Sequence, residues 1–139
     1  MTGARVAYAD VEPNGLAEMV GGLIEANLVR DPDRSRLLRR AVIDLVALDA
    51  DVAVSLAVGR EDVRVANGLA DGRADVRVTT DSLSLVELAG APLRFGFPDV
   101  FRPEGRLVVR KILERRIQIE GLLRHPLRLS RITRLLSVT

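Results

Sequence analysis

The stretch RIQIEGLLRHPLRLSRITRLL, residues 116–136, holds two secondary-structure signals of different period. At its start Ile117 and Ile119 alternate with polar residues, and this period of two predicts a short β-strand. Gly121 interrupts the alternation. Beyond it, leucines and arginines recur at spacings of three and four, which predicts an amphipathic helix over residues 122–136. The sequence therefore predicts a strand that turns at one glycine into a helix.

Upstream of this stretch, four short segments carry the signals of further strands. They are rich in valine, leucine and alanine and are separated by turn-forming residues: AVIDLVAL (41–48), VAVSLAV (52–58), VRVAN (63–67) and ADVRVTT (74–80). In the last of them Val76 and Val78 alternate with polar residues, so one face of this strand is expected to be buried. Four successive strands with short connections favour an antiparallel meander, which the strand at 116–120 extends to five.

Helical signals surround the strands. After Pro13–Asn14, apolar residues follow at spacings of three and four until Asp31–Pro32 ends the pattern: Leu16, Met19, Val20, Leu23, Ile24 and Leu28. Residues 33–40 suggest a short polar helical turn. A second helix is expected to start at a cap on Asp81 or Ser82 and to end at Gly90. A third is predicted over residues 107–115 from the spacing of its apolar residues.

This order of elements predicts an α+β fold, a five-stranded and mainly antiparallel sheet with helices packed on one face. The length of 139 residues fits a single domain. Its expected parts are an N-terminal helical part (1–40), a strand meander (41–80), helices with an apolar loop (81–115), and the last strand and helix (116–139).

Charge is distributed unevenly along the chain. Residues 1–101 carry 11 basic and 16 acidic side chains, whereas residues 102–139 carry 10 basic and 3 acidic ones. Such a split suggests an anionic partner for the C-terminal part: a lipid surface, a phosphorylated ligand or nucleic acid. The alternative is a solvated helix face whose arginines pair with acidic residues of the first part. The N-terminal MTGARVAYAD lacks the apolar run of a signal peptide, and a cytoplasmic protein is expected.

The sequence offers few groups for catalysis or metal binding. His125 is the only histidine and there is no cysteine, so neither a zinc site nor a cysteine nucleophile is expected. The carboxylates of Asp49 and Asp51 lie in a predicted turn, where aspartate is favoured for local hydrogen bonds. Arginines accompany the last helix without a nucleic-acid-reading motif. We therefore predict a protein that is not an enzyme, needs no cofactor or metal, and does not bind nucleic acid.

Apolar residues are more abundant near the C-terminus than a small solid core needs. The loop at 91–105 holds three of the four aromatic residues, and the last helix carries leucines over much of its circumference. Such a helix is either deeply packed or lines a cavity. The sequence leaves both interpretations open.

Two stretches, ADVRVTTDSLSLVELAG (74–90) and RIQIEGLLRHPLRLSRITRLL (116–136), resemble the sterol carrier protein type-two family, the non-specific lipid-transfer proteins. The similarity lies in the order of elements: a strand, a capped short helix ending in glycine, and later a strand, a glycine and a leucine-rich helix. It spans roughly residues 40–136. It implies a hydrophobic tunnel between the sheet and the helices, lipid binding or transport without covalent chemistry, and a bacterial stand-alone member of the family.

The resemblance also implies a ligand site. The expected tunnel lining is apolar and comprises Leu85, Leu88, Phe95, Phe97, Phe101, Ile112, Leu122, Leu127, Ile132 and Leu136. Contact with a ligand head group or an anionic membrane is expected from Arg124, Arg128 and Arg131. The expected ligand is a fatty acid, acyl-CoA, sterol or other lipid. The alternative is a structural module of the same fold with a filled core, which acts through a protein partner or as a homodimer.

Overall fold

A six-stranded sheet lies at the centre of the computed structural model, which describes residues 5–70, 72–90, 93–94, 97–98, 100–121 and 124–137. The strands are, in chain order, β1 (Arg5–Tyr8), β2 (Ala41–Ala47), β3 (Val52–Val58), β4 (Asp62–Asn67), β5 (Val76–Thr80), β6 (Leu93–Arg94), β7 (Phe97–Pro98) and β8 (Gln118–Glu120). β6 and β7 pair with each other, and the remaining strands form the large sheet.

The large sheet has the strand order β1-β4-β3-β2-β5-β8 and is mixed. β2 and β3, β3 and β4, and β5 and β8 pair antiparallel. β1 lies parallel to β4, and β5 lies parallel to β2. The predicted strand number of five is therefore wrong, the predicted pairing of β4 with β5 is absent, and two of the five observed pairings in this sheet are parallel. The α+β class is confirmed.

The error in the meander concerns the connection between β4 and β5. β5 does not pair with β4. It lies beside β2, so that β3 and β2 separate it from β4. The backbone N–H of Ala70, within this connection, donates to the Asp44 carboxylate at 3.1 Å. Asp44 points away from the face that its neighbours Ile43 and Leu45 share. The connection thus passes over the outer face of the sheet, and it buries Asp44 there completely.

Within the described ranges, four α-helices and one 3₁₀ helix accompany the sheet: α1 (Gly15–Arg30), η1 (Pro32–Leu37), α2 (Ser82–Gly90), α3 (Pro103–Leu113) and α4 (Pro126–Leu136). The predicted starts and ends of α1 and α2 are confirmed. Asn14 caps α1, since its side chain accepts the Ala17 backbone N–H at 2.8 Å. α3 begins four residues before the predicted start. α4 begins at Pro126 rather than at residue 122, since proline favours the first turn of a helix.

The core lies between one face of the sheet and the helices. Its fully buried residues include Ile43 of β2, Leu56 of β3, Val76 of β5 and Ile24 of α1. α1 and α4 are joined by a buried hydrogen bond from the Asn27 amide to the Leu135 carbonyl, at 2.9 Å. One face of the sheet is therefore covered by helices.

Candidate functional site

An apolar cavity of about 460 Å³ lies between the helices and the covered face of the sheet. Three helices and two strands form its wall. The lining residues are Met19, Val20 and Leu23 of α1, Leu45 of β2, Val78 of β5, Leu85, Val86 and Ala89 of α2, and Leu129, Ile132, Thr133 and Leu136 of α4. The volume is within the range of about 300–1,000 Å³ that small-molecule sites occupy.

The wall of this cavity carries almost no polar group. Among the lining residues that the structure describes, Thr133 alone is polar, and its hydroxyl donates to the Leu129 carbonyl at 2.8 Å within α4. The hydrogen of this hydroxyl is thus already engaged and cannot be donated to a ligand. The described part of the wall therefore presents apolar surface and carries no charged side chain.

The α1 wall follows from the phase of the helix. Leu23 follows Met19 by four positions, so both side chains lie on the same face of α1, which faces the cavity. Ile24 and Leu28 lie on the next strip and pack into the core. Gly21 sits where α1 meets β1, and a β-carbon at this position would lie 2.4 Å from the Tyr8 hydroxyl. The absence of a β-carbon at Gly21 therefore leaves room for the Tyr8 ring against α1.

The α2 wall is held at its N-terminus by two aspartates. The Asp81 carboxylate accepts the Ser84 backbone N–H at 2.7 Å, and Asp49 accepts the Ser82 backbone N–H at 2.9 Å. These hydrogen bonds stabilise the ionised carboxylates and lower the pKa of both groups below the ordinary value of 3.8. The cap on Asp81 was predicted, whereas the contribution of Asp49 was not.

A buried lysine holds the opposite side of α2. Lys111 of α3 is the only lysine in the chain and is 5% exposed. Its ammonium group donates to the Ser84 hydroxyl at 3.1 Å and forms an ion pair with Glu87. Leu85 and Ala89 of the same helix face the cavity instead. α2 is thus fixed to α3 by polar contacts on one side and lines the cavity on the other.

The position of α4 is set by the turn at Gly121 and by Asp75. The Asp75 carboxylate accepts a hydrogen bond from Arg128 at 2.8 Å and another from the Val42 backbone N–H at 2.9 Å. Arg128 also lies 3.2 Å from Nδ1 of His125, the residue before α4. This cluster fastens the first turn of α4 to the start of β5.

Three of the ten residues predicted to line a tunnel lie together in the cavity wall, namely Leu85, Ile132 and Leu136. Ile112 is partly buried against the core, outside this wall. Phe101 is 71% exposed and Leu127 is 67% exposed, so neither contributes to the cavity. Leu127 precedes Ile132 by five residues, which places it on nearly the opposite side of α4.

The described part of the structure does not include the side chains of the other four predicted lining residues. Leu88 and Phe97 lie in α2 and β7, where the structure describes the backbone and not these side chains. Phe95 and Leu122 lie outside the described residues. A role for these four in ligand binding stays a prediction.

The three arginines predicted to meet a head group lie in different surroundings. Arg124 is exposed and precedes α4, so it does not share a helix face with the others. Arg128 is ion-paired with Asp75. Arg131 lies on the side of α4 that faces η1, in a groove with Arg36, Arg39 and Arg134.

Sequence reasoning missed the lining residues from α1, β2 and β5. Met19, Leu23 and Val78 had been assigned to apolar faces, but a core face and a cavity face carry the same residue types. The structure separates the two roles at Met19, which is 45% exposed although it lies on the apolar stripe of α1. The sequence gives no means of separating the two roles.

No protein-family model matches this sequence, and no curated protein sequence matches it. In the part of the chain that the structure describes, no helix is long and apolar enough to cross a membrane. A solved structure described as "UbiJ-SCP2 Ubiquinone synthesis protein" is similar over 87% of this chain and 92% of its own, with a TM-score of 0.60 and 16% sequence identity. The strand and helix arrangement described above is thus shared with a protein named for SCP2, and the chain has the sterol carrier protein type-two fold.

Proposed function

We propose that this protein binds an apolar small molecule, a lipid chain, in the cavity between α1, α2, α4 and the sheet. The observation that carries this proposal is the cavity itself, which has a volume of about 460 Å³ and one polar residue among the described residues of its wall. An engineered cavity lined only by apolar side chains stays dry and takes up apolar ligands. A lipid chain would gain about 25 cal/mol for each Å² of apolar surface that it buries, before ordering costs.

The chemistry of the wall supports binding without reaction. None of the described lining residues carries an ionisable side chain, and the Thr133 hydroxyl is engaged within its own helix. A polar head group would lose its hydration inside such a cavity without gaining hydrogen bonds. The lipid's chain therefore occupies the cavity, and its head group stays at the opening. We propose accordingly that the protein is a non-enzymatic carrier.

The structural neighbour supports the same class of ligand. It is described as a ubiquinone synthesis protein, and ubiquinone is itself a lipid. The alternative, a structural module with a filled core, is less well supported because the space between the helices and the sheet is not filled.

Native mass spectrometry of the purified protein, before and after extraction with organic solvent, tests the proposal. We expect an added mass that extraction removes and that returns on incubation with a fatty acid, an acyl-CoA or a sterol. Ala89→Phe places a large side chain in the cavity wall and should abolish this uptake. Ala26→Phe is the matched control, because Ala26 is an exposed residue of α1 outside the cavity wall.

Two results would contradict the proposal. One is a protein of unchanged mass that takes up none of the three lipid classes. The other is equal uptake by Ala89→Phe and wild type when circular dichroism shows both to be folded. Either result would favour the structural module, and sedimentation would then test for a homodimer.

A further inference from the structure

Two residues of the cavity wall are also exposed to solvent, and they mark where the cavity opens. Val86 of α2 is 56% exposed and Met19 of α1 is 45% exposed, although both line the cavity. The lining residues of the sheet, Leu45 and Val78, are buried. A side chain that borders both the cavity and the solvent lies at an opening, so the cavity opens between α1 and α2.

The two sides of this opening differ in stiffness. Methionine is unbranched and has three rotatable bonds, so the Met19 side chain can move aside for a passing chain. Valine is branched at its β-carbon, which restricts the Val86 side chain to few rotamers. The helix that carries Val86 is fixed to α3 by the contacts of Lys111 with Ser84 and Glu87. A lipid chain can therefore pass by displacing Met19 while α2 stays in place.

Gly22 leaves the α1 side of the opening uncovered. It follows Met19 by three positions, so the two residues are neighbours on the surface of α1. A β-carbon at Gly22 would meet no atom of the described residues within 4 Å. A helical side chain lies over the turn that precedes its own α-carbon. A large residue at position 22 would thus cover the helix surface beside Met19 and narrow the opening.

Packing does not explain the glycine at position 22. The neighbouring Gly21 has a reason to lack a β-carbon, which would lie 2.4 Å from the Tyr8 hydroxyl. Gly22 has no such neighbour and lies within α1, where glycine is less favourable than alanine. A residue that lowers helix stability and relieves no close contact fits a role in keeping the opening wide.

We propose that the lipid enters and leaves the cavity between α1 and α2, past Met19 and Val86, and that Gly22 sets the width of this passage. The assignment rests on the proposed function, because only a ligand that exchanges gives the opening a use. A fatty acid chain is narrow and flexible, whereas the fused rings of a sterol are wide and rigid. Gly22 is therefore a specificity-determining residue for entry, and its effect is larger for the wider ligand.

Stopped-flow fluorescence with cis-parinaric acid, a fluorescent fatty acid, tests the passage. Gly22→Phe should slow uptake and release by about tenfold each, the effect of a barrier higher by about 1.4 kcal/mol. The Kd should stay unchanged, because the variant obstructs the passage and not the bound state. With dehydroergosterol, a fluorescent sterol, the slowing should be larger.

Val29→Phe is the matched control for this variant. Val29 is an exposed residue of α1 and lies seven positions beyond Gly22. This spacing corresponds to about 10 Å along the helix, so the added ring lies on a similar side of α1 but away from the opening. Val29→Phe should exchange both probes as wild type does. Gly22→Ala adds a single carbon and should slow exchange much less than Gly22→Phe.

A second measurement uses the absence of cysteine from the sequence. Val86→Cys and Val29→Cys each introduce a single thiol that N-ethylmaleimide can label. Bound cis-parinaric acid should slow the labelling of Val86→Cys and leave that of Val29→Cys unchanged. This readout does not require Gly22→Phe to fold.

Three outcomes would overturn the proposal. They are unchanged exchange rates in a folded Gly22→Phe, equal slowing by Gly22→Ala and Gly22→Phe, and labelling of Val86→Cys that bound lipid does not slow. Failure of the cavity proposal looks different, because wild type would then bind neither probe, or Ala89→Phe would bind both as well as wild type does.

Discussion

Gly121 shows how one residue places an element. Its φ of +89° lies in the left-handed region, and a β-carbon there would lie 2.1 Å from the Asp75 carbonyl oxygen. The position thus requires glycine both for its conformation and for the close approach of β5. The change of period within residues 116–136 therefore marks the glycine that allows the chain to leave β8 and begin α4.

We expect Gly121→Ala to lower the free energy of unfolding by more than about 2 kcal/mol. The left-handed conformation alone costs about 1–2 kcal/mol for a residue with a β-carbon, and the Asp75 carbonyl would also have to move. Urea unfolding followed by circular dichroism measures the change.

Gly22→Ala is the control for this prediction. Gly22 lies inside α1, where a β-carbon would have no atom within 4 Å. Alanine should therefore stabilise the helix by about 0.5–1 kcal/mol. A Gly121→Ala variant as stable as wild type would show that the turn does not need glycine.

The burial of Asp44 is a property of a single residue that could not be predicted from the sequence. An aspartate inside an apolar strand either faces solvent or is buried with partners, and local sequence does not distinguish these states. The answer depends on Ala70 and on Arg77, which approach it from another segment and another strand. Their proximity follows from strand order, which lies beyond any local pattern.

At the scale of elements, the sequence predicted which segments form strands better than which strands pair. The segments β2 to β5 were located closely, because their turns and apolar residues are local signals. The parallel pairing of β5 with β2 depends on a connection that crosses the sheet, which no local signal encodes. β1 was missed because it is a four-residue edge strand that is largely exposed.

The two aspartates at the start of α2 predict a pH dependence. The pKa of Asp81 is lowered in the folded protein by its hydrogen bonds to Ser84, so its stabilising effect is complete above the ordinary value of 3.8. The effect is lost as the pH falls from 3.8 through the lower folded pKa. Asp81→Asn should therefore be less stable than wild type at pH 7, with a difference that shrinks below pH 3.8. Thermal melts between pH 7 and pH 2.5 measure it.

Asp51→Asn is the control for this pH profile. Asp51 is an exposed residue of the turn between β2 and β3, at a φ of +51° that asparagine tolerates. We expect its melting temperature to follow wild type at every pH. A constant difference between Asp81→Asn and wild type across the range would contradict the assigned role of the carboxylate charge.

The ion pair between Lys111 and Glu87 is expected to stabilise the protein by fixing α2 to α3. Lys111→Met keeps the length of the buried side chain but removes its hydrogen bonds to Ser84 and Glu87. We expect the free energy of unfolding to fall by about 1–3 kcal/mol, the cost of leaving buried polar groups unsatisfied. Glu87 is 28% exposed at its side chain and can regain water, which limits the loss.

A double-mutant cycle with Glu87→Gln isolates the interaction between these two residues. The coupling should lie between about 0.5 and 3 kcal/mol if the contact stabilises the protein. Additive effects of Lys111→Met and Glu87→Gln would mean that the ion pair contributes nothing beyond the separate side chains.

For the whole molecule, the sequence predicted the fold class and the kind of site but few of the site's residues. The cavity is formed by helices from both ends of the chain and by two strands of the sheet. Whether apolar faces meet as a solid core or leave space depends on how the helices are held apart. Polar contacts outside the cavity, such as those of Asp75 and Lys111, hold α4 and α2 in the positions from which they line it. The predicted lining came from the C-terminal half alone, and it therefore included Phe101 and Leu127 while omitting α1.

An apolar cavity that binds a lipid has a consequence for stability that can be measured on the intact protein. A ligand that binds only the folded state stabilises it by mass action, by about 2.7 kcal/mol at a free concentration 100 times its Kd. For a chain of this size, that corresponds to a rise in Tm of about 10 °C. Wild type freed of lipid by extraction should therefore melt lower than the same protein with a bound fatty acid. Ala89→Phe should show no shift on adding the lipid, whereas Ala26→Phe should shift like wild type. An equal shift in Ala89→Phe would mean that the lipid binds elsewhere on the molecule.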